Sequence, residues 1–253
     1  VHLVYETVSG LGLEAGDICY CAHPLYHMAG KFMGVLGTMA VGGSVVLDSA
    51  FQPGRWLERI RASGATVTLA HGPMIEMIHG EPKSAADRNH AVRRMMACPM
   101  PRRIAADFEQ RFGIRQIEVY GMTEIGAPCW TPADADCPAG SSGRVDMEDY
   151  DFKVVDPDTD EEVLQGTVGE FVFRPKKPWM MMQGYMGMPD KTVEAWRNMW
   201  FHTGDSGFVD ADGYLFYVDR LGDRIRRRGE NIASYDIEAA AQTHPAVREC
   251  AAV

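Results

Sequence analysis

The sequence contains no long apolar run, no Cys-x-x-Cys motif and no excess of basic residues. Its longest weakly polar stretch, residues 32–47, is too short and too rich in glycine to span a bilayer, and no signal peptide precedes it. A packed helix followed by a buried strand at residues 44–47 is expected there instead. Cys19, Cys21, Cys98, Cys129, Cys137 and Cys250 form no Cys-x-x-Cys pair, so neither a zinc ribbon nor a disulfide framework is legible, and a reducing cytoplasm is the simplest compartment. Basic residues number 25 against 35 acidic ones, a formal charge of −10. That balance argues against sequence-independent binding to nucleic acid, which needs a net basic face to release counterions. A polyanionic small ligand would have to be held by local donors. The chain opens on Val1 and has no methionine before Met28, as expected of a piece of a longer protein.

What is present is a chain of 253 residues, 46% apolar, enough for one large or two modest domains with a sizeable core. Helical spacing at residues 2–10 and 52–63 and apolar runs at 17–22, 66–70, 92–96 and 117–120 alternate along the first half, with a further helix through Phe108 and Phe112. Such alternation predicts an α/β fold with a doubly wound parallel sheet. From Gly140 the pattern changes to short alternating strands at 152–155, 170–174, 200–202, 208–209 and 215–218, which predicts a small antiparallel distorted β-barrel. A helix at 235–243 and a strand at 246–253 then read as the start of a small α+β C-terminal domain. The expected division is residues 1–139, 140–221 and 222–253. The acidic stretch Asp156 to Asp160 has Glu161 and Thr167 where a calcium loop needs glycine and glutamate, so it reads as an acidic turn. The methionines Met180, Met181, Met182, Met186 and Met188, with Trp179 and Trp196, read as irregular core packing, a soft acyl-contacting surface being the alternative.

Several segments carry chemistry. Asp205 follows a His-Thr-Gly turn at the end of an apolar strand, where a carboxylate can accept both hydroxyls of a ribose; alone, it would read as a turn cap. Arg220 closes the next aromatic strand and can offer a fork to the same ribose or to a phosphate. A hairpin turning at Asp210 to Gly213 would bring the two to one end. In Tyr120-Gly-Met-Thr-Glu124, Tyr120 offers a ring for a purine, Gly121 a close backbone approach to phosphate, Thr123 a hydroxyl donor and Glu124 a hard oxygen for Mg2+. In isolation the same residues make an ordinary capping turn. His23 and His27 flank Pro24, which argues against a shared helical face for a metal and leaves a structural pair as the alternative. His71 stands at the carboxyl end of a strand, where doubly wound sheets bind ligands, or on an exposed loop.

These segments, His23-Pro-Leu-Tyr-His-Met-Ala-Gly30, Tyr120 to Glu124, Met182-Gln-Gly-Tyr185 ahead of Pro189, and Phe201 to Asn231, occur in the order and with the gaps of a known superfamily. The chain resembles the acyl-adenylate-forming enzymes, which include acyl-CoA ligases, luciferases and peptide-synthetase adenylation domains. Met181-Met-Gln-Gly-Tyr185, residues 191–200 and Gly229-Glu-Asn-Ile232 are most similar to carnitine or crotonobetaine-CoA ligases and related medium-chain enzymes. The resemblance implies that a carboxylic acid attacks the α-phosphate of ATP to give acyl-AMP, after which the thiol of CoA displaces AMP. It implies catalytic roles for Thr123, Glu124 and His27, with Glu124 as the Mg2+ ligand. It further implies an AMP/ATP site comprising Ala97, Cys98, Pro99, Glu118, Val119, Tyr120, Gly121, Met122, Thr123, Asp205, Tyr217, Arg220 and Asn231. Met96-Ala-Cys-Pro99 departs from the family's Gly-Ala-Pro loop against adenine, and Cys98 there either narrows the adenine slot or is a small buried residue. Arg228, Gly229 and Glu230 would approach CoA, and His71 would join the acyl-pocket wall. The hinge of the family falls at Gly222, where an Asp or Lys is common; glycine there removes the steric bar to a large backbone change.

The family's phosphate loop is expected shortly before Val1 and its adenylation lysine beyond Val253, so the parent protein is expected to be the enzyme and this stretch alone at best feebly active. A catalytically incomplete nucleotide-binding module and a peptide-synthetase adenylation domain remain alternatives. Nucleic-acid binding through Arg224, Arg226, Arg227 and Arg228 is a third, opposed by the acidic balance.

Overall fold

Apolar residues alternating with a period of two build the first sheet, and helices cover both of its faces. The computed structural model describes residues 1–223, 225–227, 230–232, 237, 238, 240, 241, 244, 246, 247 and 250–252. The chain divides into two units, Val1–Arg144 with Trp179–Met182, and Val145–Pro178 with Gln183–Val253.

The first unit is organised on strands β1 (Ile18–Cys21), β2 (Ser44–Leu47), β3 (Val67–His71), β4 (Arg94–Cys98), β5 (Arg115–Met122), β6 (Gly126–Trp130) and the short β7 (Arg144–Val145), in the order β2-β1-β3-β4-β5-β6-β7. The pairs from β2 through β5 are parallel, and β6 returns antiparallel beside β5. Tyr20, Met95 and Ala97 join one core cluster while Cys19, Cys21 and Met96 join the other, so adjacent residues serve opposite faces. On the second face lie α1 (His2–Leu11), a π-helix at Ala29–Gly37 and its continuation α2 (Thr38–Ala40), which contribute Leu11, Ala29 and Met33. On the first lie α3 (Pro53–Ser63), α4 (Gly72–Gly80) and α5 (Ala105–Phe112), which bury Trp56, Ile60, Ile75, Ile78, Phe108 and Phe112. Helix α3 starts on proline and stops at Gly64, whose φ of 64° closes the last turn in a conformation that glycine takes without strain.

Two expectations are corrected here. Residues 44–47 form an edge strand and not a buried one: β2 pairs with β1 alone, and both Ser44 and Leu47 are exposed. The helix expected from residue 32 starts at Ala29 and winds with the wider π pitch, where a Cβ on Gly34 would come 3.0 Å from Cys21 Sγ. The missing side chain lets this segment lie close on β1.

The second unit holds an antiparallel sheet of β8 (Tyr150–Val155), β9 (Gly169–Pro175), β10 (Phe201–Val209) and β11 (Leu215–Arg220), in the order β11-β10-β9-β8. Tyr150, Phe171, Phe173 and Phe201 are fully buried, and α6 (Pro189–Ala195) precedes Trp196, which meets Phe201 edge to face. The two short strands expected at 200–202 and 208–209 are one nine-residue strand, its pairing with β9 interrupted between His202 and Ser206. The acidic stretch at Asp156 is the turn expected, its carboxylate accepting from the backbone of Asp158 and Thr159. Among the clustered methionines only Met180 is buried; Met186, 98% exposed, and Met188 and Trp179 are at the surface. Of these methionines core packing therefore holds for Met180 alone, and the interior of this sheet is filled by aromatic rings.

After β11 a single 3₁₀ turn, Leu221–Asp223, leads to a small hairpin of β12 (Ile225–Arg227) and β13 (Glu230–Ile232). Arg224, Arg228 and Gly229 lie outside the described residues, as do five of the nine residues of the helix expected at 235–243, whose described residues 237, 238, 240 and 241 are helical. The strand expected at 246–253 is corrected, since its described residues 246, 247 and 250–252 are turn or irregular.

Candidate active site

Some of the expected residues lie in the first unit and others in the second. In the first, the parallel pairing of β1 with β3 puts the carboxyl ends of both strands at one edge. His23, just beyond β1, and His71, the last residue of β3, meet there, with His23 Nε2 2.8 Å from His71 Nδ1. His27 packs edge-on to His71 with ring centroids 5.1 Å apart, and its Nδ1 accepts the backbone N–H of Ala29 at 3.1 Å. The three rings line a cavity of about 760 Å³ whose wall also includes Tyr26, Asp48, Phe51 and Met74. Burial, with the neighbouring imidazoles His71 and then His27, pushes the His23 pKa down to about 3; burial and then His27 lower that of His71. Both rings are therefore neutral at pH 7. The carboxylate on this wall, Asp48, is already engaged by Arg59 and by the hydroxyl of Tyr20 at 2.6 Å.

On the next strands, Ala97 and Cys98 end β4, with Cys98 opposite His71 and Ala97 opposite Glu118. Ala97 is buried, Cys98 half-buried, and the Cys98–Pro99 bond is cis. Glu118 lies under the loop that follows: its carboxylate accepts from the backbone N–H of Met100 at 3.3 Å and from Ser142 Oγ at 2.9 Å. Burial outweighs these bonds and the Arg102 charge, and pushes its pKa up to about 7. Val119 points into the core, so only its backbone is free to meet a ligand. Tyr120 is 7% exposed, leaving little of its ring for a purine to stack on.

Gly121 and Met122 belong to β5 and not to the turn, which is Thr123 to Ile125. The close approach that needs glycine at 121 is across the hairpin: a Cβ there would overlap Gly126 O and come 2.8 Å from Ala127 Cα. Both are backbone atoms and cannot swing aside. Gly121→Ala is expected to destabilise the protein by about 2–3 kcal/mol, read as a lower urea midpoint at unchanged slope; a midpoint within error of the parent would contradict this account. Thr123 is exposed, with Oγ1 3.7 Å from Met28 Sδ, and Glu124 is half-buried, its carbonyl accepting the N–H of Met182 at 2.7 Å. That bond joins two of the four sequence segments that carried the resemblance.

In the second unit Asp205 and Arg220 stand opposite each other on β10 and β11, with Arg220 Nε 2.9 Å from Asp205 Oδ1. The hairpin turns at Asp210 to Gly213 as the sequence predicts, with Gly213 N–H donating to Asp210 O at 3.1 Å. The Asp205 side chain is 6% exposed and that of Arg220 50%. Tyr217 lies opposite Gly207 on the same hairpin. Thr203, Gly204 and Asp205 are not the strand-ending turn expected but an irregular stretch within β10, and behind it sits a carboxylate that sequence reasoning missed. Glu170 accepts the N–H of Gly204 at 3.0 Å, meets His202 Nδ1 at 2.9 Å and takes Arg197 at 3.0 Å. The signal was available, since Glu170 is the one charge inside the apolar run from Gly169 to Phe173.

Glu230 and Asn231 lie on β13, their backbones opposite Arg227 and Arg226. Gly222, in the 3₁₀ turn, has open space where a Cβ would stand, so nothing packed against it requires glycine. Arg228 and Gly229, expected near CoA, are outside the described residues. Among the described residues no three His, Cys, Asp or Glu side chains are arranged to hold a metal.

The model of the AMP-binding enzyme family matches residues 1–186. The chain belongs to the AMP-binding enzyme family. Within that family it is 34% identical, over the whole chain and 50% of the relative, to a feruloyl-CoA synthase of Amycolatopsis. It is 28% identical, over 98% of the chain and 48% of the relative, to a crotonobetaine/carnitine–CoA ligase of Salmonella heidelberg. The ATP-bound crystal structure of MatB from Rhodopseudomonas palustris superposes with a TM-score of 0.85 at 25% identity, covering 97% of this chain and 48% of that one. The chain thus spans about half the length of the curated relatives it matches. As an AMP-binding family member it has the fold expected, an α/β sheet followed by a separate antiparallel sheet. No helix among the described residues is long and apolar enough to cross a membrane.

Proposed function

We propose that the protein to which this chain belongs is an AMP-forming acid–thiol ligase. A carboxylate oxygen of the acid attacks the α-phosphorus of ATP and pyrophosphate leaves; the sulfur of CoA then attacks the acyl carbon and AMP leaves. The observation that carries this reading is similarity across the whole chain to two ligases that join different acids to CoA.

The residues have work to do in that sequence. Asp205, in β10 where pairing with β9 is interrupted, takes the ribose hydroxyls, and Arg220 beside it offers N–H donors to the same sugar or to the α-phosphate. The strand end at Ala97, Cys98 and Pro99, with the backbone from Glu118 to Met122, borders the adenine, and Thr123 donates to phosphate oxygen. Glu124 is a single hard oxygen donor on a turn, which suits Mg2+, an ion held by one or two carboxylates together with substrate phosphates and not by an all-protein cage. Bound there, Mg2+ would neutralise charge gathering on the phosphates. His27 holds its proton on Nε2, because Nδ1 is taken by the Ala29 N–H, and so presents a donor beside the cavity that we assign to the acyl group. Gly222, with Glu230 and Asn231 following it, is the proposed pivot and thiol-side loop.

The test is acid-dependent ATP–pyrophosphate exchange by the full-length protein with short, branched, aromatic and carnitine-like acids. Exchange that requires one class of acid and falls by about 10²-fold in Glu124→Gln supports the ligase. Absence of exchange with every acid, in a protein that still binds ATP, would leave a nucleotide-binding module in its place.

A further inference from the structure

His71 and His23 form a pair whose proton positions are fixed by burial. His23 is only 6% exposed, and its Nδ1 is buried without a hydrogen-bond partner among the described residues. The 2.8 Å contact between His23 Nε2 and His71 Nδ1 needs one proton, which has two possible homes. Were it on His71 Nδ1, the proton of neutral His23 would sit on Nδ1, a buried N–H with no acceptor, which folded proteins almost never tolerate. With the proton on His23 Nε2, the buried Nδ1 is a bare lone pair and His71 accepts at Nδ1. The proton of neutral His71 is then on Nε2, an atom with no protein acceptor among the described residues, in a ring that lines the 760 Å³ cavity. His27, on the same wall, is fixed as an Nε2–H donor in the same way by the Ala29 N–H. The wall thus offers two ring N–H donors, and its carboxylate, Asp48, is satisfied by Arg59 and Tyr20.

We infer that His71, oriented by His23, selects acids whose acyl group carries an uncharged oxygen acceptor, a hydroxyl, ether or carbonyl, over the same acids without it. This rests on the ligase reading above and on the cavity being where the acyl group lies. A donor-only N–H left facing an alkyl or bare aryl group forfeits the bond it had to water, and facing an ammonium it meets a second donor. His71 is a specificity residue and His23 a positioning one.

The experiment is acid-dependent pyrophosphate exchange by the full-length protein with matched acid pairs, cinnamate against 4-hydroxycinnamate and hexanoate against 6-hydroxyhexanoate. The expected result is a preference, in kcat/KM, for the oxygen-bearing member of at least one pair, which falls about tenfold in His71→Phe and is largely restored in His71→Gln, whose amide keeps a donor. His23→Phe should lower the same ratio, because His71 is then free to place its proton on either nitrogen. The preference should not change between pH 7 and 8, where burial keeps His23 and His71 uncharged, and the other titratable groups on the wall, His27, Asp48 and Tyr26, are common to both acids. Independently of catalysis, imidazole ¹⁵N shifts of the protein at pH 7 should place the protons of His23 and His71 on Nε2. Exchange with equal kcat/KM for both members of each pair, a ratio indifferent to His71, or a proton on His71 Nδ1 overturns the inference while leaving the ligase standing. Lack of exchange with every acid overturns both.

Discussion

Asp205→Ala is expected to lower ATP–pyrophosphate exchange by about 10²-fold or more, because a carboxylate holding two ribose hydroxyls makes two charge-assisted bonds of about 1.5–3 kcal/mol each. Asp205→Asn keeps one acceptor oxygen and should lose about tenfold. Neither change should unfold the protein. The partner left behind, Arg220, is half exposed and regains water, whereas a fully buried arginine would be left with an uncompensated charge. Melting curves of parent and variants measured with the exchange assay separate the two effects. A variant that retains exchange within about threefold would remove Asp205 from the nucleotide site, and one that loses exchange only in proportion to unfolded protein would make it a structural residue.

The second large effect concerns Glu118 and depends on pH. Its folded pKa is about 7 against an ordinary 4.5, so between those values the folded state holds a proton that the unfolded state has released. Stability therefore falls as pH rises through this window and levels off above pH 7. Glu118→Gln reproduces the protonated form: the amide oxygen can accept from Met100 N–H while the amide nitrogen donates to Ser142 Oγ. The variant should match the parent near pH 4.5 and be more stable at pH 8 by about 1–3 kcal/mol, or about 5 °C in melting temperature. Parallel stability curves for the two proteins across this range would show that burial does not hold the proton there. Because Glu118 also belongs to the proposed nucleotide site, exchange measured alongside tells whether the charge is needed for binding.

Much of this arrangement was legible in the sequence because it is local. Asp210 to Gly213 is a turn signal between two alternating runs, and the hairpin it closes brings Asp205 and Arg220 to one end; that they stand directly opposite depends on a bulge between Ser206 and Gly207, which no local pattern marks. The alternation of strand and helix through the first half likewise announced the parallel sheet. What escaped depends on strand order, which periodicity does not encode. Val45, Val46 and Leu47 read alike whether their strand is central or at an edge, and β2 is an edge only because the chain next places β3 on the far side of β1. That placement also brings His71 to His23, 48 residues away in sequence, and no local pattern marks the two as neighbours. Gly121 was legible as a place of close approach but not as to what approaches, which proves to be the chain's own hairpin. The exposed Met186 and Met188 were misjudged because composition alone does not distinguish a flexible filler of the core from a flexible surface residue.

The carboxylate of Glu170 gives the Thr203-Gly204-Asp205 stretch of β10 a property that contact distances alone do not express. Held from behind through Gly204 N–H, and with the Asp205 N–H bonded to Thr203 Oγ1 at 3.0 Å, this stretch has its shape settled before any ligand arrives. A segment ordered only on ligand binding would give up about 1–2 kcal/mol of backbone freedom for each residue fixed. Here that loss is met during folding, so the free energy of the ribose contacts proposed for Asp205 would appear undiminished as affinity.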